Sequence, residues 1–322
     1  MIKRAARIHL PPGGLLMVTV VALLFMLLPF RMPPLSRSKS LVYYAVDGTK
    51  TAQTLNETPS PMKMTLSGNG NVVCVDAAVR LPENPHVAVY QGVAYMPDAA
   101  RIQAVFFSDE CAFDKEVTSL QTTYAFYDLT VASYTCDEGY FDLCEDGRVT
   151  IGLFNSSIPI GNADDARSLL VKAGFPVETA DIAYDEAVGG YAITTQIDGL
   201  PLSAYPAHDY FTEKPTDGVR MIVLVKDGLL DGIQGSVWTA AETLWESTSI
   251  RPLAQSLKGL ETGLYTSGQY DAIRMAYHGR LVYAKPREVL FYPIWELTNS
   301  ENPEEITILN AITGYPELFL MD

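Results

Sequence analysis

Histidine and cysteine are scarce in this 322-residue chain, four of each, and most patterns that announce a known chemistry are missing. No two of His9, His86, His208 and His278 stand at helical metal-ligand spacing, and H-E-x-x-H is absent, which argues against the common zinc hydrolases. His208, in Tyr205-Pro-Ala-His-Asp-Tyr210, reads as a surface-loop residue rather than a general base. G-x-S-x-G and G-x-x-x-x-G-K-[ST] are absent, which removes the usual serine hydrolase and nucleotide-binding readings. S-x-x-K occurs as Ser36–Lys39 and Ser60–Lys63, but the S-D-N and K-T-G that accompany it in penicillin-binding proteins are absent. No cofactor site is read.

Acid is missing from the start of the chain. No Asp or Glu precedes Asp47, whereas Lys3, Arg4 and Arg7 come before the apolar run Leu15–Phe30 and Arg31, Arg37 and Lys39 follow it. A basic start leading into an uncharged apolar stretch is the pattern of a secretory signal or signal anchor. Sixteen or so helical residues reach roughly 24 Å, a little short of a ~30 Å hydrocarbon core that snorkelling arginines help to span. No A-x-A-like site and no cysteine follows the run, so an uncleaved anchor is expected rather than a cleaved signal or a lipoprotein. Residues 15–30 are thus the expected membrane contact. Three basic residues on each side leave orientation undecided by charge.

The cysteines decide it instead. Cys74, Cys111, Cys136 and Cys144 form an even set beyond the apolar run, as expected of oxidised pairs outside the cytoplasm. Cys136 and Cys144 could close a small loop, which would leave Cys74 with Cys111. The same region holds the densest acid of the chain, Asp137, Glu138, Asp142, Glu145 and Asp146. Asp137, Asp142, Glu145 and Asp146 are candidate hard-oxygen ligands for Ca²⁺, although their spacing matches no EF-hand and a solvated acidic loop is the default.

Six basic and no acidic residues in the first 40, against a whole-chain charge of −15, leave −21 on the remainder. Nothing so acidic carries the electrostatic footprint of a nucleic-acid or anionic-lipid binder.

Along the chain, Leu41–Val46 reads as a short strand, residues 47–71 as loop, Val72–Leu81 and Val87–Val93 as strands, and Pro97–Phe107 as a helix. Glu116–Leu129 is ambiguous between helix and strand, and Val149–Phe154 reads as a strand. Asn162 caps a helix with Asp164 and Asp165 in its first turn, Ala166, Leu169, Leu170 and Ala173 on one face, and Gly174 and Pro176 at its end. Alternation over Tyr191–Ile197 runs to an Asp198-Gly199 turn, and Asp227-Gly228 turns Val219–Val225 into Leu229–Trp238. Thr239 with Glu242 has the form of a capping box ahead of Leu244 and Trp245. Pro252–Lys258 reads as a short helix, His278-Gly279 as a turn, and Val289–Leu297 with Glu305–Ile312 as an antiparallel pair. In that pair Phe291 and Trp295 share one strand face, with Tyr292 and Ile294 on the other, and Trp295 with Phe291 is a candidate partner platform. The expected fold class is α+β: antiparallel sheets with a few packed helices after one transmembrane helix. Two helix-then-hairpin units, 162–238 and 239–297, hint at a repeat.

Leu290-Phe-Tyr-Pro-Ile-Trp-Glu-Leu297 followed by Ile308-Leu-Asn-Ala-Ile-Thr-Gly314 resembles the end of PepSY-like domains. Asp198-Gly-Leu-Pro201 and the preceding helix fit the same layout. In plan the chain is similar to the YycH/YycI type of Gram-positive extracytoplasmic regulators and to related exported, often lipoprotein, families. The resemblance covers about 160–322, and 70–130 faintly through Val75-Asp-Ala-Ala-Val79. It implies helix–hairpin units, no catalytic residue, and a controlling or sensing role at the cell envelope. The expected organisation is an anchor and linker (1–40), an N-terminal α+β ectodomain (41–155) and a PepSY-like α+β ectodomain (156–322). The expected function is a single-pass, membrane-tethered, non-catalytic protein binding an envelope protein or peptide. A membrane-anchored hydrolase with an unfamiliar site and a cation- or ligand-binding module are the alternatives.

Overall fold

Period-two patterning builds most of this molecule. In Asn71–Arg80, Val73, Val75, Ala77 and Val79 are buried while Val72, Cys74, Asp76, Ala78 and Arg80 are exposed. That alternation marks a strand with one face in a core and one in water. Two Asp-Gly pairs close hairpins as expected, with positive φ at Asp198 and Gly199 and again at Asp227 and Gly228. Positive φ at both central residues gives the twist that a two-residue hairpin needs.

A computed structural model of the chain describes residues 54–68, 71–81, 87–121, 128–203, 220–245, 250–262, 268–282 and 285–314. Ala45–Asp322 group into one unit and Met1–Tyr44 into another. The expected membrane segment, the strand expected at Leu41–Val46, and His9, His86 and His208 lie outside the described residues. No described helix is long and apolar enough to cross a membrane.

The elements in chain order begin with β1 (Met62–Gly68), β2 (Asn71–Arg80), β3 (Val89–Ala94) and α1 (Ala99–Phe106). Then come β4 (Asp114–Gln121), β5 (Asp128–Cys136), β6 (Gly139–Cys144), β7 (Val149–Leu153) and α2 (Ala163–Lys172). The short strands β8 (Asp181–Asp185), β9 (Gly190–Thr194), β10 (Gln196–Ile197) and β11 (Leu200–Pro201) follow. After them stand β12 (Met221–Lys226), β13 (Leu229–Gly235), β14 (Trp238–Trp245) and α3 (Leu253–Leu257), the last extended by a 3₁₀ turn, Lys258–Thr262. The last described elements are β15 (Gly268–Val282), β16 (Lys285–Asn299) and β17 (Asn302–Asn310).

Two large sheets result. One runs β1-β2-β15-β16-β3-β14, with β17 also on β16; only its β2–β15 pairing is parallel. The other runs β4-β5-β6-β7-β13-β12-β9-β8 and is antiparallel throughout. Ile102 and Phe106 of α1 and Ala166 and Leu170 of α2 pack on the second sheet through Phe141, Ile151, Ile193, Val223 and Ile233. Asn162 caps α2 as its sequence predicts, accepting from Asp164 N at 2.8 Å and Asp165 N at 3.0 Å. At the other end Arg101 of α1 donates to the carbonyls of Lys172 and Val171, supplying partners that the last turn of a helix lacks.

β16 is buried on both faces. Val289, Phe291, Trp295 and Leu297 point to a core shared with Leu253, Leu257 and Leu260, and Tyr292 and Ile294 point to Val89, Ala276 and Ile308. The ring of Phe291 lies against two glycines on flanking strands. A Cβ on Gly92 would stand 2.0 Å from Phe291 Cε2, and one on Gly279 would stand 2.9 Å from Cε1.

Several expectations fall here. Among the described residues the fold is mostly β, with large sheets and few helices, and not α+β built of helix–hairpin units. Thr239 and Glu242 lie in strand β14, where pairing with β3 from Trp238↔Ala94 to Trp245↔Val89 overrides a four-residue capping signal. With that helix gone, the second unit of the expected repeat is absent. His278-Gly279 is no turn: β15 runs straight through it, and Gly279 makes room for Phe291 opposite. Residues 47–71 are not all loop, because Met62, Lys63, Met64, Thr65 and Leu66 alternate within β1. No boundary falls at 155. Strands 62–94 share a sheet with 238–310, and strands 114–153 share one with 181–235.

Gly92→Ala is expected to destabilise the protein by about 1–3 kcal/mol, since the added methyl must push the Phe291 ring out of a filled core. Urea unfolding should show a lowered midpoint at unchanged slope.

Candidate functional site

The most heavily built surface region is the end of the eight-stranded sheet where β4 begins. After α1, Ser108 donates from its backbone N–H (2.8 Å) and its hydroxyl to the two carboxylate oxygens of Glu138, in the β5–β6 turn. Three residues later Cys111 is disulfide-bonded to Cys136 at the end of β5. Closing a loop of 25 residues stabilises by about 3 kcal/mol on the chain-entropy model. Phe113 then packs edge-on to Phe107 at 5.0 Å and Phe141 at 5.5 Å, while Tyr134 stacks on Phe141 at 4.4 Å. Lys115 lies over the Tyr134 ring at 5.2 Å. Beyond this clamp Asp114–Ser119 are six consecutive exposed residues of β4.

Donation by the Ser108 hydroxyl, and then by its backbone N–H, holds the Glu138 carboxyl below the ordinary glutamate range. A depressed folded-state value means that this tie is fully present above the ordinary range and is lost as pH falls through the lowered value.

The disulfide differs from the expected pairing. Cys136 bonds Cys111 and not Cys144, and Cys74 and Cys144 are free thiols. Sequence proximity misleads because Cys136 and Cys144 sit at opposite ends of the β5–β6 hairpin: Cys136 pairs with Gly139, and Cys144 with Val131. Cys74 is exposed on β2; Cys144 is buried, and burial, helped by Asp146, pushes its thiol up to about 11.

The same geometry separates the four candidate calcium ligands. Asp137 is in the β5–β6 turn and Glu145 and Asp146 are in the β6–β7 turn, with six-residue β6, roughly 20 Å of strand, between them. Glu145 accepts from Thr130 N, and Asp146 pairs with Arg148 at 2.6 Å. Among the described residues one potential metal group converges, Cys111, Cys136 and Asp137, and its two sulfurs are bonded to each other.

Trp295 and Phe291 are fully buried, so neither offers a partner platform. What the sequence reading missed on the same strand is Glu296, a carboxylate 2 % exposed. It receives Arg274 at 2.6 Å on one oxygen and the Ser203 hydroxyl on the other. A lone acid within Phe-Tyr-Pro-Ile-Trp-Glu-Leu was the available signal. Both carboxylate oxygens are engaged, so the cluster reads as a cross-link between β15, β16 and the chain after β11. His278, four register positions beyond Arg274↔Glu296, packs edge-on to Tyr292.

No family model and no curated protein matches this chain. Among solved structures its fold is similar to that of an uncharacterized protein from Eubacterium rectale ATCC 33656, with a TM-score of 0.51 and 11 % identity. The match covers 85 % of this chain and 99 % of that one. At that identity the likeness shows a shared fold alone.

Two outcomes test the site's chemistry. In Ser108→Ala the Glu138 titration midpoint should rise toward the ordinary glutamate value, read by NMR of its side-chain carboxyl carbon. Arg274→Met should cost about 2–3 kcal/mol in urea unfolding by leaving Glu296 buried without its cation. The loss stays below that of a fully buried pair because the Arg274 side chain is 38 % exposed.

Proposed function

We propose that this chain is a membrane-tethered extracytoplasmic protein that binds a protein or peptide partner at the cell envelope and does no chemistry of its own. The Cys111–Cys136 disulfide carries the reading, since such bonds persist in oxidising compartments. The basic start and apolar run Leu15–Phe30 support a tether ahead of it. A charge of −21 beyond residue 40 suits a solvated body outside the membrane. The resemblance of Leu290–Leu297 and Ile308–Gly314 to PepSY-like regulators is in keeping with a controlling or sensing role.

The hydrolase alternative gains no support from the described residues. Ser203 donates to Glu296, a carboxylate already held by Arg274. A calcium module is disfavoured by the separation of Asp137 from Glu145 and Asp146.

The free thiols supply the test. Cys74 is exposed and Cys144 is buried, so one cysteine is open to a reagent. A membrane-impermeant maleimide applied to intact cells expressing the full chain should add a single label, lost in Cys74→Ser. Labelling that appears only after the membrane is broken would place the body inside the cytoplasm and sink the reading.

A further inference from the structure

Five strands of the two large sheets have a described partner on one side only: β1, β4, β8, β14 and β17. An open edge is a row of unpaired backbone donors and acceptors, and folded proteins blunt such edges with bulges, short lengths or covering segments. Four of the five are blunted. β14 has two register shifts against β3, and the β16–β17 register shifts once. β8 is five residues long, with Asp181 and Asp185 engaged by Gln196 and Arg220. At the end of β1 the 3₁₀ turn crowds in, with Glu261 O only 2.2 Å from where a Gly68 Cβ would stand.

β4 is different. Its register with β5 runs unbroken over eight pairs, from Asp114↔Thr135 to Gln121↔Asp128. Asp114–Ser119 are all exposed, Val117 at 59 %. The lysine that could guard this edge, Lys115, is turned onto Tyr134 of the neighbouring strand. The start of β4 is fixed by the Cys111–Cys136 bond and by Phe113 between Phe107 and Phe141. A fixed template lowers the ordering cost of adding a strand.

Charge names the kind of strand. Asp109, Glu110, Asp114 and Glu116 surround the single cation Lys115. Asp114 and Glu116 share one strand face with Thr118, and Val117 is on the other with Lys115 and Ser119. A second copy of this chain would bring the same acids into register with these, which disfavours self-pairing. We propose that the outer edge of β4 is a docking site for an extended, basic peptide segment of a partner protein, which joins the eight-stranded sheet as a ninth strand. Its cationic residues, two apart, face Asp114 and Glu116, and the apolar residue next beyond the cation opposite Glu116 covers Val117. This deepens the partner-binding reading above and rests on it.

The probe is a capped ten-residue peptide of alternating Lys and Val, titrated into the detergent-solubilised full chain by calorimetry. Two analogues carry N-methyl groups on alternate amides, one in each phase. The parent should bind one to one and slow amide exchange across 114–121. At least one N-methylated phase should bind about tenfold or more weakly, because it cannot donate to the edge. Glu116→Lys should weaken the parent by a similar factor at unchanged melting temperature. No saturable binding, protection confined to other strands, or equal affinity of both analogues and the parent would overturn the proposal. None of these outcomes bears on where the maleimide reacts, so the docking site and the extracytoplasmic reading fail separately.

Discussion

Everything in the seven-stranded sheet hangs on one crowded contact, the ring of Phe291 between the bare backbones of Gly92 and Gly279. β16 can be flanked by β15 and β3 at this point only because neither neighbour carries a side chain there. The consequence spreads outward. With β15 held on one side and β3 on the other, β16 is central, and both its faces are lined by buried apolar side chains. A charged residue on such a strand must bring its own partners, and Glu296 does so through Arg274 and Ser203. The buried acid is thereby a device of register: a one-residue slip of β16 would send Glu296 into the face now occupied by Trp295 and Leu297.

That dependence explains which parts of the fold could be read in advance. Local signals held wherever their physics was local. The Asn162 cap with its acidic first turn, the two Asp-Gly turns and the alternating β2 all formed where the residues place them. The failures occur where a distant strand decides. Gly279 looks like a turn residue until Phe291 is set opposite it, and Thr239-Ala-Ala-Glu242 looks like a helix start until β3 pairs with it. The α+β expectation rested on helices set ahead of hairpins, and it fell because strands make up most of the fold. Strands from either side of residue 155 share both sheets and interleave in the seven-stranded one, and no composition shift at that point records their pairing.

The candidate site was legible in its ingredients and not in its assembly. Cysteines 111 and 136 and the acids around them stand out in the sequence, but their grouping depends on hairpin geometry. Two cysteines with seven residues between them seem natural partners in a loop; on a two-stranded hairpin they lie at opposite ends. The same length of β6 separates Asp137 from Glu145 and Asp146, so one fact about strand rise undoes both the pairing and the calcium set. Ser108 carried no signal at all, being one serine among many until the turn brought Glu138 to it.

The described chain puts polar chemistry to two opposite uses. Its most chemically loaded cluster, around Glu296, is spent on holding strands in register, and its thiol at Cys144 is buried and poorly ionised. The region beginning at Ser108 is organised to the opposite end. A covalent bond, a charged hydrogen-bond pair and four aromatic rings fix the base of a strand that is itself left open to water. Rigid support beneath an exposed, regular, acidic edge is a poor arrangement for stability alone, since the edge invites pairing and contributes little burial. It is a sound arrangement for recognition, because main-chain hydrogen bonds supply affinity and the alternating side chains decide which strand is accepted.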